Sequence, residues 1–385
     1  MELTTEQRDL RDAVRGLLAR HGRPDPAGPG PAGDPGPDGG PGYDVSLWQR
    51  LCGEIGVAGL AIPERYGGAG AGPVETCLVM EELGRGLVPS PMLGSAVLAG
   101  QALLASGDDE AGRRLLPAIA SGETVAALAW APQAGRWDPG EPVFAARPAA
   151  GSGHAWVLSG EAHHVLDGDT AGVLLAAARA PDGVGLFEVD PGHPAVDRWA
   201  VTTMDTTRRL AVVALDGAPG RCAGPGAGTR ALARARDLAC IALAAEQSGA
   251  AQRALELTVA YTKARVQFGR PIGSFQALQH RMADLHVLVE SARSLCYAAA
   301  IAAADAGADP GADPARLGML AAAAKAHCSQ ALTRAAGQMI QMHGAIGITW
   351  EHDAHRYFKR AHGAGQLFGR PEEHVARIAA ALIDG

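Results

Sequence analysis

Between Tyr261 and His280 the chain reads YTKARVQFGRPIGSFQALQH, two helical runs parted by a break that a helix cannot absorb. Gly269 costs a helix about 1 kcal/mol relative to Ala and Pro271 about 3 kcal/mol, and the Pro has no N–H to give to the ladder. The spacing predicts a tight corner that holds Arg265 and Gln267 at the end of the first helix, with Phe275-Gln276 opening the second. A guanidinium fork held there can grip a diphosphate through paired charge-assisted hydrogen bonds. A solvated Arg at a helix-turn-helix corner is the alternative reading of the same residues.

The rest of the chain sorts into three stretches by hydrophobic period. Leu10, Val14, Leu17 and Leu18 recur at helical spacing over 4–21, with Thr4 or Thr5 placed to cap. Gly, Pro and Asp dominate 22–42, which predicts a mobile surface insertion unable to bury apolar area. Helical patterning resumes from Val45 to Ser121, broken at Ile62-Pro63, Tyr66–Gly68 and the Pro89-Ser90-Pro91 corner. Residues from 125 to about 222 switch to short strands with Gly/Asp turns, as at Ser159-Gly160 and Asp167–Asp169, and predict a compact antiparallel β domain. From Thr229 to Ile383 the pattern is helical, with breaks near 269–271, 307–314 and 344–347. The expected fold class is α+β: an N-terminal helical domain over 1–122, a middle β domain over 123–226 and a C-terminal helical bundle over 227–385.

Bulk properties narrow the function classes. The chain has 385 residues, is 47% hydrophobic and carries a net charge of −7, so a large core is available and no basic footprint for nucleic acid exists. Charges are dispersed, which gives no support to a membrane-surface role. No uninterrupted apolar run reaches the ~20 residues of a membrane span, and the charged N-terminus lacks the apolar core of a signal peptide. The six cysteines have no metal-ligand spacing, so no metal is expected, and a reduced cytoplasmic setting is the expected one.

The corner sequence as a whole resembles the R-x-Q-F-G-x-P-I-x-x-F-Q signature of the acyl-CoA dehydrogenase family of flavoproteins. IGVAGLAIPERYGGAG (55–70), LSGEAHHVLDGDTAG (158–172), TMDTTRRLAVV (203–213) and IQMHGAIGITWEHDAHRYFKRA (340–361) extend the resemblance over nearly the whole chain. It implies a C-terminal four-helix bundle and FAD as cofactor. Arg265, Gln267 and Phe268 would serve the FAD of a neighbouring subunit, with Gln276 near the adenine, so at least a dimer is implied. Gln341, Gly344, Ala345 and Gly347 would form the other half of that site, where residues without bulk let backbone approach the cofactor. Ala345 stands where the family has Gly. Val165 and Leu166 would offer backbone donors near the flavin ring.

The departures fall where the chemistry should be. The segment that in the family touches flavin and acyl-CoA, T-E-x-x-x-G-S-D-like, corresponds to AALAWAPQAGRW (126–137) and has neither the Thr-Glu pair nor the Gly-Ser. Removing a proton α to a thioester needs a positioned carboxylate. Of the two positions the family uses, one is Phe368 here and the other Ala239. Glu246 lies on nearly the same helix face as Ala239, about −20° around and about 10 Å along the axis, and is the candidate base. The reading favoured over it is a structural Glu paired with a polar neighbour. His163 and His164 read as strand residues without chemistry, and Glu351 as structural. Arg208 is expected on CoA phosphates or on an internal carboxylate.

Three functions are compatible with this pattern. The first is α,β-dehydrogenation of an acyl-CoA thioester, with an electron-transfer flavoprotein as acceptor. The second is a flavin-dependent oxygenase using O2 on a CoA-bound or aromatic substrate, with Phe368 helping to exclude water. The third is a non-catalytic subunit that lends its corner to a companion's FAD while the companion supplies the base. Homodimer, homotetramer and heterotetramer all remain open at this point.

Overall fold

The computed structural model describes residues 3–21, 40–149, 155–224, 226–308 and 313–383. The Gly/Pro-rich 22–42 segment therefore lies outside the described residues except for its last three. Helices α1 (Thr5–His21), α2 (Val45–Arg50), α3 (Pro73–Gly86), α4 (Gly100–Ser106) and α5 (Asp109–Ala120) come first. Seven strands follow: β1 (Ala126–Ala129), β2 (Phe144–Pro148), β3 (Ala155–Leu166), β4 (Val173–Ala180), β5 (Gly183–Val189), β6 (Val196–Val201) and β7 (Leu210–Cys222). The last part holds α6 (Gly228–Ala264), α7 (Gln276–Ala308), α8 (Pro314–His343), α9 (Ala354–Gln366) and α10 (Pro371–Ile383). The class is α+β, in the order the periodicity predicts.

Local chemistry sets the helix starts. Asp108 Oδ1 accepts from Ala111 N at 2.9 Å and Asp313 Oδ1 from Ala315 N at 2.9 Å, each satisfying an orphan N–H. Pro73 and Pro314 sit in first turns, where a missing N–H costs nothing.

The sheet departs from an all-antiparallel reading. β1 and β2 both run parallel to β4, while the β2–β3, β3–β7, β4–β5, β5–β7 and β6–β7 ladders are antiparallel. The pairings β4–β2–β3–β7–β5 return to β4, so these five strands form a closed circuit without free edges. Hairpin signals between neighbouring strands cannot reveal this return. Phe144, Leu158, Leu174, Phe187 and Val213 fill the interior.

One close crossing positions the centre of the molecule. A Cβ on Gly84 of α3 would collide with the carbonyl of Glu246 on α6, and one on Gly249 of α6 would collide with the carbonyl of Glu81 on α3. The reciprocal pair lets the two backbones touch and fixes Glu246 against the N-terminal helices.

The stretch Gln276–Gly307 within α7 is long and apolar enough, by length and composition alone, to cross a membrane. It carries Arg281, Asp284, Glu290 and Arg293, so it is not an uninterrupted apolar run. Its inner face, through Leu285, Val289, Ala292, Cys296, Ala299 and Ala303, is buried in the core shared with α3, α6 and α8.

Candidate functional site

The predicted corner exists. α6 ends at Ala264, the Val266–Gln267 and Arg270–Pro271 pair forms a small hairpin, and Ile272 N donates to Arg265 O at 2.8 Å to close it. Phe268, at φ 52, and Gly269, at φ 77, make its tip. Phe268 is 90% exposed, and Arg265, Gln267 and Gln276 are exposed beside it. Arg270 lies over the Phe275 ring at 4.0 Å. Among the described residues Arg265 has no carboxylate partner.

The second half of the predicted site meets the first through Tyr261. Its ring stacks on His343 with centroids 4.2 Å apart, and its hydroxyl donates to His343 O at 3.3 Å. His343 ends α8, and Gly344 then turns at φ 65 into a short helix over Gly344–Ile348. Gln341, Gly344 and Ala345 are exposed and Gly347 is buried. Open space surrounds the missing Cβ of both Gly269 and Gly344.

The 126–137 segment is built differently. Trp130 is fully buried, its Nε1 donating to Asp138 O at 3.1 Å. Trp137 meets Trp130 edge-on at 5.3 Å and Phe368 edge-on at 4.9 Å. Phe368 is 1% exposed, and Ala239 is buried in the same apolar cluster. Phe368 has φ 59, a left-handed conformation that costs a non-glycine residue about 1 kcal/mol or more. Lys325 holds it there: the buried Nζ donates to Gly365 O and Gly369 O, both at 3.3 Å, and to Ser329 Oγ at 3.1 Å. Burial pulls this ammonium down to about 8.

Glu246 sits in a buried ionic pocket. Its carboxylate accepts from Arg208 Nη2 at 2.5 and 2.8 Å and from Arg360 Nη1. Arg360 also donates to Thr207 Oγ1 at 2.9 Å from Nε and pairs with Asp205 at 3.0 Å. Burial alone would raise the Glu246 pKa, but Arg208 and Arg360 outweigh it and hold the carboxyl below its usual range. A carboxylate so held is a weak base, and the two Arg partners match the reading of Glu246 as a paired structural Glu. Arg208, in turn, contacts that internal carboxylate. Beside it, burial pushes Asp167 up to about 7, with Arg208 pulling the other way. Arg209 grips Asp169 through Nε at 2.8 Å and reaches Gly40 O at 2.8 Å, tying the start of the second described stretch over this pocket.

Val165 and Leu166 are buried at the end of β3 and pair with Ala211 and Leu210 of β7. His163 Nε2 lies 2.8 Å from Glu161 Oε1 and His164 Nε2 lies 3.1 Å from Gln133 O, so both rings have ordinary partners.

Comparison with known proteins fits this arrangement. Residues 4–123 match the model for "Acyl-CoA dehydrogenase, N-terminal domain" and 226–383 that for "Acyl-CoA dehydrogenase, C-terminal domain". The acyl-CoA dehydrogenase IpdE2 of Mycobacterium tuberculosis is 40% identical over 97% of this chain and 96% of its own. This chain belongs to the acyl-CoA dehydrogenase family. Members of this family are FAD-dependent oxidoreductases acting on CH–CH bonds. Among solved structures, the Tcur3481-Tcur3483 steroid ACAD is 30% identical with TM-score 0.83, covering 99% of this chain and 98% of that one. The ChsE4-ChsE5 complex from M. tuberculosis is 28% identical with TM-score 0.85, covering 100% and 99%.

FAD fits the two parts of an acyl-CoA dehydrogenase site unequally here. The exposed corner has guanidinium, amide donors and room for a diphosphate. In the 126–137 segment and at position 368 the rings pack together: Trp137 meets Trp130 and Phe368 edge-on, and all three are buried. Sequence reasoning missed Trp130, Trp137, Lys325, Arg360, Asp205 and Thr207. Only Lys325 carried a local signal, as a lone cation within the Ala-rich 321–326 run of α8.

Proposed function

We propose that this chain is the non-catalytic subunit of a heteromeric acyl-CoA dehydrogenase. The observation that carries the reading is the buried Trp130–Trp137–Phe368 cluster, an apolar packing with Phe at position 368, where the family resemblance puts a base. Arg265, Gln267 and the Gln341–Gly347 turn would hold the diphosphate region of FAD bound mainly by a companion of the same fold. FAD supplies the hydride acceptor for α,β-dehydrogenation of an acyl-CoA thioester. The companion would bring the carboxylate that takes the α-proton.

This chain's own residues then bind and orient. Arg265 offers two parallel N–H donors to a diphosphate, while Phe268 and Ile348, 69% exposed, offer apolar surface to the companion. Two solved relatives bear two-component names, ChsE4-ChsE5 and Tcur3481-Tcur3483, which supports a two-chain assembly. An electron-transfer flavoprotein is the acceptor we favour. The oxygenase alternative needs a flavin held by this chain itself, and the buried Trp137–Phe368 packing speaks against that.

The test is flavin content followed by anaerobic titration. Purified alone, the chain should keep little absorbance near 450 nm and show no bleaching with any acyl-CoA. Co-expressed with a family member that carries the Glu base, it should yield a yellow complex bleached by acyl-CoA. Arg265→Ala in this chain should lower the FAD retained by that complex. Stoichiometric flavin in the chain alone, bleached by an acyl-CoA, would overturn the proposal.

A further inference from the structure

A chamber of about 510 Å³ lies between the N-terminal helices and the bundle, and it shares no lining residue with the ionic pocket or the Trp130–Trp137–Phe368 cluster. Its size falls within the roughly 300–1,000 Å³ of small-molecule sites. Val57, Met92, Val97, Leu238, Ile241 and Ala303 give it aliphatic walls. One cation on α6, Arg234, reaches into it.

Arg234 is underused. Among the described residues its five N–H donors make one hydrogen bond, from Nη2 to Ala303 O at 3.0 Å. Among the described residues no carboxylate lies within ion-pair distance of it. Asp237, one turn further along α6, is taken by Arg377 at 3.0 Å and by Arg236 at 3.4 Å. Burial makes the Arg234 charge costly, with Asp237 offsetting only part of this. A half-buried guanidinium with no acid partner among the described residues, set in an aliphatic wall, is stabilised by an anion that enters with its own apolar body.

We propose that this chamber binds a compact hydrophobic monocarboxylate, its body against the aliphatic walls and its carboxylate on Arg234. A phosphorylated or nucleotide ligand is disfavoured, because the walls offer few donors besides Arg234. Gln101 has already given its amide N–H to Ala61 O at 3.2 Å. Arg65 lies over the Tyr66 ring at 4.7 Å and so stands at the mouth with its own partner. The inference is independent of the subunit role proposed above.

The test uses the full chain and a fluorescent probe, 1-pyrenebutyrate, beside its methyl ester. The acid should bind saturably at one site per chain, about tenfold more tightly than the ester, as a charge-assisted hydrogen bond provides. Arg234→Gln, which can still donate to Ala303 O, should bring acid and ester to the same affinity. Ala304→Leu, which fills the chamber from the α7 side, should weaken acid and ester alike, and it serves as the second variant if Arg234→Gln melts early. Equal affinity of acid and ester for the unaltered chain would overturn the proposal. So would an acid preference that survives in a folded Arg234→Gln protein, or the absence of saturable binding.

Discussion

Replacing Glu246 with Gln separates a structural anchor from a catalytic base, because the two roles predict opposite results. The substitution keeps size and removes charge. Arg208 loses its acid, and Arg360 keeps only Asp205. Breaking a buried pair by removing one partner costs about 3–5 kcal/mol, since the remaining charge stays desolvated. Unfolding entropy of about 2.1 cal/mol/K per residue gives roughly 0.8 kcal/mol/K for 385 residues, so the melting temperature should fall by about 4–6 °C. The folded-state pKa of Glu246 lies below its ordinary 4.5. The stabilisation is therefore fully present above pH 4.5 and is lost as pH falls through the lower folded value. The gap between the parent and Glu246→Gln should be wide at neutral pH and narrow on acidification below 4.5. Calorimetry or circular dichroism melting across pH, with acyl-CoA-dependent flavin bleaching measured on the same FAD complex, checks both arms. An unchanged melting temperature with bleaching abolished would refute the anchor argument and restore Glu246 as the base.

Three further outcomes follow from the packing. Phe368→Ala removes a fully buried ring from the Trp137 contact and should cost about 3–5 kcal/mol, with tryptophan emission shifting to the red; unchanged emission would mean that the cluster is not formed in solution. Lys325→Met should remove a pH dependence: the ammonium sits near 8 folded and 10.5 unfolded, so the unfolded state binds more protons in that window. The stability of the parent relative to Lys325→Met should therefore rise between pH 8 and 10.5, and parallel profiles in urea melts would contradict it. Gly249→Ala drives a methyl into the Glu81 carbonyl and should cost about 1–3 kcal/mol by forcing α3 and α6 apart, read as a lower urea midpoint.

The sequence by itself determined whatever depends on neighbours within a turn or two. Gly269 and Pro271 sit six residues or fewer from Arg265, so the corner, its exposed Arg and the restart of helix at Gln276 were legible before any fold was known. The α, β, α order was legible for the same reason, since hydrophobic period is a local property. The facing of Glu246 toward the side of α6 that holds Ala239 also followed from helical rotation.

Only the tertiary structure decided what stands opposite those faces. Arg208 is 38 residues from Glu246 and Arg360 is 114, and helical periodicity says which way a side chain points but not what meets it. The Gly84–Gly249 crossing brings α3 against α6 at that point, and α9 delivers Arg360. The sheet closure through β4 and β5, with two parallel ladders, likewise joins strands that local hairpin signals cannot relate. The meeting of Trp137 with Phe368 joins the 126–137 segment to the loop after α9, and Lys325 on a third element holds that loop in place. A residue written as Phe where a base is expected says that one carboxylate is absent. Its packing against Trp137, which in turn meets Trp130, says that the position is closed to water, because an apolar ring excluded from water takes the nearest apolar partners the fold supplies.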